Sequence, residues 1–292
     1  MKRFIKYFLC LLISLCVFAG TGCGFDVFGS GSGTAADAPL IIRMLDIGQG
    51  DAILIERNGK FALIDTGDVE HRPRMAEYLR KYGVKKVDTV IITHPHGDHI
   101  GGMFSVFANA EIRQVYDNGV PTSTYKTYRK ILDKRKIPRR TLRGGEKIQL
   151  LDGVPFTVVG PLEKSNARGE NSRQNNESIV GLLKYGNFTM LFTGDAEAEE
   201  EASILKSGAD VKSVVLKAGH HGSKTSSTEE FLRAVSPKAV FISCGAGNNY
   251  GHPSRQTMKR LEKWGIDVYR TDRQGTITLT TDGKRYEITK EH

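Results

Sequence analysis

Five apolar, strand-like runs in this chain end directly in aspartate or histidine, and no other feature constrains the fold as tightly. Residues 61–65 lead into "LIDTGD" with Asp65 and Asp68, and residues 87–92 into "THPHGDHIGG", which sets His94, His96, Asp98 and His99 within six positions. Residues 188–192 lead into "LFTGDAE" with Asp195, residues 213–217 into "LKAGHHGSKTSS" with His220 and His221, and residues 239–243 into "CGAGNNYGHP" with His252. A single such end means little, because aspartate often caps a helix. Five are hard to attribute to capping. Six of the eight histidines fall in these segments, leaving only His71 and the terminal His292 outside. Open α/β architectures build their sites at the C-terminal ends of strands, so these ends are expected to converge.

The rest of the pattern says what kind of sheet would bring them together. Apolar runs recur at 40–45, 52–56, 61–64, 87–92, 112–116, 156–159, 179–184, 188–192, 213–216, 239–242 and 276–279, with turn signals such as Asn58-Gly59 between them. Helical patterns lie at 72–82, 100–108, 122–136, 196–206, 228–235 and 254–264. Hairpins first, then strands alternating with helices in each half, predict an α/β fold of two packed sheets with helices outside. No second linker, repeat or low-complexity segment follows Pro39. With 39% hydrophobic residues there is ample core material, so residues 40–292 are read as one domain.

Imidazole and carboxylate suit Zn²⁺ or Mn²⁺, and the lack of a cysteine cluster argues against a structural zinc. His94 and His96, two apart in an extended segment, can face one ion. Asp98 and His99, at a helix start, can address a second. Asp195 is the natural bridging carboxylate, and His220 is expected to complete the second ion's ligands, with His221 and His252 as alternatives for that last place. Two such ions, about 3.5–4 Å apart, can hold a hydroxide and stabilise the attacking and leaving oxygens of a phosphoryl displacement. Asp98, His221 and Asp65 are the candidate catalytic residues, Asp65 as the group that orients the ligands. The glycines of "DIGQGD" do not make a nucleotide loop, because the next element, 52–56, is a strand where a helix is required. Asp51 is read as shaping a turn, and Cys244, after an apolar strand, as a buried small residue.

At this level the sequence resembles the metallo-β-lactamase superfamily, and more narrowly the hydrolase domain of ComEC-type competence proteins. The matching stretches are "MLDIGQGDAILIE", "LIDTGD", "VIITHPHGDHIGG", "NNESIVGLLKYGNFTMLFTGD", "VLKAGHHGSKTSS" and "NNYGHPS", spread over residues 44–254. The resemblance implies a four-layer αββα sandwich. It also exposes a departure: the wider superfamily places a further histidine between the first motif and Asp195, whereas this chain has none from residue 100 to 219. The narrower group has "NNES" there, which makes Asn175, Asn176 or Ser178 candidates to line the site. His252 is open between holding substrate and a structural role before Pro253. Lys217, Ser223 and Lys224 are open between binding a substrate phosphate and being ordinary loop residues.

Charge is concentrated in one segment. Between Lys126 and Arg143 nine basic residues face a single acid, Asp133, a net +8 with Tyr125 and Tyr128 close by. A solvated helix face is the usual meaning of such a run. Its density also suits a track for a phosphate backbone, with the tyrosines available for stacking, and an anionic surface or teichoic acid would be attracted equally.

The N-terminus reads as an export signal. Lys2, Arg3 and Lys6 precede the apolar stretch 7–18, too short to span a bilayer. Small residues then lead to Cys23, as in a bacterial lipobox, although Gly20 stands where Leu, Val or Ile is usual. Residues 1–22 are thus the expected signal peptide, Cys23 the lipidation site and 23–39 a Gly/Ser tether. Removing residues 1–22 lowers the formal charge from +9 to +6, less than the basic segment alone supplies. These features predict an exported, lipid-anchored phosphodiesterase with two divalent ions, most simply a nuclease acting on DNA or another phosphate-containing polyanion. The rival readings are a phosphorylcholine- or teichoic-acid-type esterase (or another ester or lactone hydrolase) and a non-catalytic lipoprotein that captures DNA or metal.

Overall fold

The computed structural model describes residues 38–292. The expected signal peptide, Cys23 and all but the last two residues of the tether lie outside them. Two large sheets form. Across the first, the strands run Tyr286–Lys290, Ile277–Thr281, Leu40–Met44, Ala52–Arg57, Lys60–Thr66, Thr89–Ile92, Val115–Asp117 and Arg139–Thr141. Across the second they run Asp267–Arg270, Ala239–Ile242, Val215–Lys217, Phe188–Phe192, Val180–Tyr185, Val154–Gly160 and Lys147–Leu151.

Strand alternation sorts the apolar side chains into layers. Ile53, Ile55, Ala62 and Ile64 of the first sheet share a cluster with Met190, Phe192, Val215 and Phe241 of the second, so the sheets pack face to face. Their neighbours in sequence turn the other way. Leu54 and Leu63 join Met75, Leu79, Met103 and Leu132 from helices on the first sheet's outer face. Leu191, Leu216 and Val240 join Ile204, Phe231 and Leu261 from helices on the second's. The order helix, sheet, sheet, helix follows. It also explains why the inner strands read as unbroken apolar runs: both of their faces are covered.

In each sheet hairpins give way to parallel pairing. Lys60–Thr66 pairs parallel with Thr89–Ile92, and Phe188–Phe192, Val215–Lys217, Ala239–Ile242 and Asp267–Arg270 pair parallel in series. Parallel neighbours end on the same side, which brings the five polar strand ends to one rim of the sandwich.

Several elements were not anticipated: the strands Arg139–Thr141, Lys147–Leu151, Asp267–Arg270 and Tyr286–Lys290, and the helix Glu170–Asn176. All four of these strands lie at sheet edges, where one side needs no apolar partner. The helix expected over 100–108 is split into Gly97–Ile100 and Met103–Asn109. The break lies at Gly101-Gly102, packed so closely that a Cβ on Gly102 would stand 1.9 Å from the Thr66 carbonyl oxygen.

The basic segment is corrected in one respect. On the helix Ser123–Arg135 the spacing of Tyr125, Tyr128 and Leu132 places all three in the core beneath it, so the tyrosines do not face a strand outside. Arg139 turns in as well and forks onto Asp117 at 2.5 Å. Lys126, Lys134 and Arg140 remain exposed, as does Lys136 just past the helix end. No helix among the described residues is long and apolar enough to cross a membrane.

The helix Ala198–Ser207 buries an unusual group. Glu200 is 4% exposed and its Oε1 has no hydrogen-bond partner. Burial, with Glu199 and Glu177 nearby, pushes its carboxyl up to about 8 against an N–H of Leu162. The folded chain then holds a proton that the unfolded chain has shed, so this group lowers stability as pH rises from about 4.5 towards about 8. Glu200→Gln should stabilise the fold more at pH 8 than at pH 5, by roughly 2–4 kcal/mol at about 1.4 kcal/mol per unit. Urea unfolding at the two pH values reads this directly, and an equal effect at both would show that Glu200 does not titrate in that range.

Candidate metal centre

Asp65, the last residue but one of the strand Lys60–Thr66, is left-handed, φ +56°, which aspartate tolerates better than most residues. Its carboxylate accepts the Thr93 N–H at 2.8 Å and the Thr93 hydroxyl at 2.7 Å, and lies 2.8 Å from His99 Nδ1. Nδ1–H donates to the carboxylate, so His99 presents Nε2 to the rim, 3.2 Å from Asp195 Oδ1. His221 is oriented likewise: its Nδ1 donates to the Ser243 carbonyl at 2.9 Å, and its Nε2 lies 3.2 Å from Asp98 Oδ2 and 3.5 Å from Asp195 Oδ2. Metal-binding histidines are commonly fixed this way.

Among the described residues, three groups of ligating atoms have their members within 4.8 Å of one another; beside Asp51, Asp65 and His99, where Asp65 serves to orient His99, two share Asp195: Asp98, His99, Asp195 and His221, and His94, His96 and Asp195. Buried within them, His96 Nε2, His99 Nε2 and Asp195 Oδ1 make no well-formed hydrogen bond, although the last two stand 3.2 Å apart. Unmatched buried polar atoms are costly, and three aimed into one cluster of imidazoles and a carboxylate fit a pair of divalent cations. Ser178 accepts the Asp195 N–H at 3.1 Å and lies 3.2 Å from His94 Nδ1, bracing both groups.

Without ions the cluster's charges answer one another. Burial opposes a charge on His99 and His221, yet Asp195 beside them raises both well above the ordinary histidine range. Burial, with His99 charged alongside, takes His94 well below it. Asp195 is also buried, but His221 and His99 hold it well below the usual carboxylate range.

The second ion's last ligand was expected to be His220, and the structure brings His221 to that place. Both residues are left-handed, φ +49° and +54°, in the tight turn Gly219–Gly222, so their rings diverge to centroids 6.2 Å apart. His220 Nδ1 sits 3.3 Å from Glu197 Oε1, while its Nε2 stays 3.9 Å from Asp195. His252 stands against both histidines, with ring centroids 5.4 Å from His220 and 6.2 Å from His221. Asn175 lines the cavity of about 420 Å³ over the cluster and donates to Glu197 at 2.9 Å. Asn176 is turned away, accepting the N–H groups of Glu197 and Glu200 at the start of a helix.

Three phosphate-binding candidates are placed elsewhere. Lys217 is wholly buried, its Nζ 2.6 Å from Asp51 Oδ2 and donating to the Gly194 carbonyl at 3.1 Å. Ser223 is buried and bonded to Thr225 at 3.0 Å. Lys224 lines a separate cavity with Arg260. Asp51, in turn, does more than shape a turn. It pairs with Lys217, accepts the Ser243 hydroxyl and lies 3.4 Å from His221 Nδ1. The "GQGD" glycines make room for this: a Cβ on Gly50 would stand 2.3 Å from the Asp98 carbonyl oxygen, to which the Asp51 N–H donates at 3.1 Å. A lysine closing an apolar strand, together with an aspartate following close-packed glycines, was the available signal for this pair.

The family model described as Metallo-beta-lactamase superfamily matches residues 45–246. The chain belongs to this superfamily and is a metal-dependent hydrolase of its fold. It is 31% identical over 257 residues to ComE operon protein 3 of Bacillus subtilis, an alignment covering 81% of this chain and 32% of that protein. With Recombination protein 2 of Haemophilus influenzae the identity is 32% over 253 residues, covering 85% of this chain and 29% of that one. The chain thus spans less than a third of the length of either relative. Among solved structures the metallo-beta-lactamase fold protein YhfI from Bacillus subtilis superposes with a TM-score of 0.56 at 11% identity, covering 84% of this chain and 100% of that one.

Breaking the buried pair should be costly. Lys217→Met leaves Asp51 charged without its partner, a loss of roughly 3–5 kcal/mol. The double variant with Asp51→Asn should lose distinctly less than the two single changes added together. Denaturant unfolding of the four chains measures this, and simple additivity would mean that the pair is not coupled.

Proposed function

We propose that this member of the metallo-β-lactamase superfamily is a phosphodiesterase that cuts DNA outside the cytoplasmic membrane, to which a lipid on Cys23 tethers it. The observation that carries the hydrolytic part is Asp195, one carboxylate common to two ligand groups at the floor of an open cavity. Divalent ions held there, Zn²⁺ or Mn²⁺, would polarise a phosphoryl oxygen and acidify a water molecule, which is the assistance a stable diester needs. The chain's own residues set the geometry. Asp65 fixes the His99 tautomer, the Ser243 carbonyl fixes that of His221, and Asp98 Oδ2 stands 3.2 Å from His221 Nε2 at the cavity wall, placed to share a cation with it. His252 and Asn175 border the space a substrate would enter.

The choice of DNA draws on two supports. One relative is named for recombination, a process of DNA, and the exposed lysines of the basic segment offer a phosphate backbone a sequence-independent attraction. Export and tethering rest on residues 1–23: three cations, an apolar stretch and small residues before Cys23.

Asp195→Ala should lower the bound metal at both groups and abolish hydrolysis, as elemental analysis and an assay with bis-p-nitrophenyl phosphate would show. Changing Lys126, Lys134 and Lys136 to Glu should weaken duplex DNA binding and flatten its salt dependence, by about 0.9 in log–log slope for each phosphate no longer neutralised. Small-diester hydrolysis should be nearly unchanged; equal loss on both would mean that the segment supports the fold instead. Turnover of p-nitrophenyl phosphorylcholine with DNA left uncut would move the assignment to the esterase class. Labelled palmitate should enter the intact protein and not Cys23→Ala, and label retained after that change would remove the tether.

A further inference from the structure

We infer that Tyr250 is a stacking platform for a nucleobase of the bound strand, an inference that rests on the nucleic-acid reading of the site. A single exposed aromatic is ordinary on a protein surface; the placement of this one is not. The residue is 72% exposed, more than any other large apolar residue among those described. It lies nearly parallel to His252, with centroids 5.7 Å apart and planes 21° apart, and His252 lies 30° from His221 at 6.2 Å. Exposure rises from His221 through His252 to Tyr250, so the three rings step outward from the cluster and the last is open to solvent. Stacking on such a face is tolerant of sequence because every base has a π-face.

The surroundings suit the same ligand. Tyr250 and Gln49 line both the cavity over the cluster and a neighbouring one of about 820 Å³, so the ring stands where the two meet beside Asp98. A strand with a phosphate at the cluster would lay an adjacent nucleotide across this junction. Asn249 lies on the wall of the larger cavity. Two of its acids are paired with arginine, Asp46 with Arg74 at 3.4 Å and Asp272 with Arg270 at 2.6 Å, and Arg273 lies on the same wall, which limits repulsion of an anionic strand. The platform is also held in place. The Asn248 side chain accepts the N–H groups of Tyr250 and His252 at 3.1 and 3.0 Å, and donates to the carbonyls of Gly245 and His252 at 2.9 and 2.6 Å.

Calorimetric titration of the metal-loaded chain with thymidine 5′-monophosphate, deoxyribose 5-phosphate and phosphorylcholine tests this without relying on turnover. The nucleotide should bind about tenfold more tightly than the sugar phosphate. Tyr250→Ala should remove that advantage and Tyr250→Phe should keep it, with metal content equal in all three chains. An advantage that is absent, or that survives Tyr250→Ala, overturns the platform. So does Tyr250-dependent binding in which phosphorylcholine exceeds the nucleotide. A Tyr250-dependent base preference in a chain that leaves DNA uncut would uphold the platform and defeat only the nuclease reading.

Discussion

The centre depends on a charge buried with its countercharge between the two sheets. Lys217 closes a strand of the second sheet, and Asp51 precedes a strand of the first. Neither could stand alone at zero or one per cent exposure, because an unpaired buried ion is among the costliest things a fold can hold. Together they fix the separation and the register of the rim. Asp51 then has an oxygen left for Ser243 and a close approach to His221, while Lys217 reaches the Gly194 carbonyl next to Asp195. Residues that touch no ligand thereby set the distance between two that do.

From this follows a division of labour around each imidazole. One nitrogen is committed to a fixed acceptor, Asp65 for His99 and the Ser243 carbonyl for His221, and the other is left facing the cluster. In a buried site this matters twice. It chooses the tautomer, and it removes the rotational freedom that binding a cation would otherwise have to freeze out.

Much of this was legible in the sequence because period and polarity are local. Unbroken apolar runs gave the inner strands, the 3.6-residue pattern gave the helices that cover them, and five polar strand ends gave the location of the site. What stayed hidden was non-local or conformational. The edge strands Arg139–Thr141 and Tyr286–Lys290 bury little and so carry no apolar signature. Lys217 read as a phosphate-binding candidate because a lysine in a loop motif is usually solvated; only the folded partner at Asp51 shows otherwise. Tyr125 and Tyr128 read as stacking groups among cations, but helical spacing turns them into the core, away from the exposed lysines. Asn176 and Ser223 were polar residues near the right motifs whose hydrogen bonds are taken up by the backbone and by Thr225.

The pair His220-His221 shows the limit most sharply. The two residues are chemically identical and adjacent, yet one is gripped by Glu197 and the other completes a ligand group. Nothing in the side chains distinguishes them. The assignment is written in two left-handed backbone angles, followed by Gly222 at φ +80°, where a Cβ would meet Pro253 at 2.7 Å. A shift of one residue in this turn would exchange the two histidines without altering composition, charge or motif. At this point the chain stores chemical identity as handedness, and a mutation that merely changes the hand of a peptide unit would rewrite the site while leaving every ligand present.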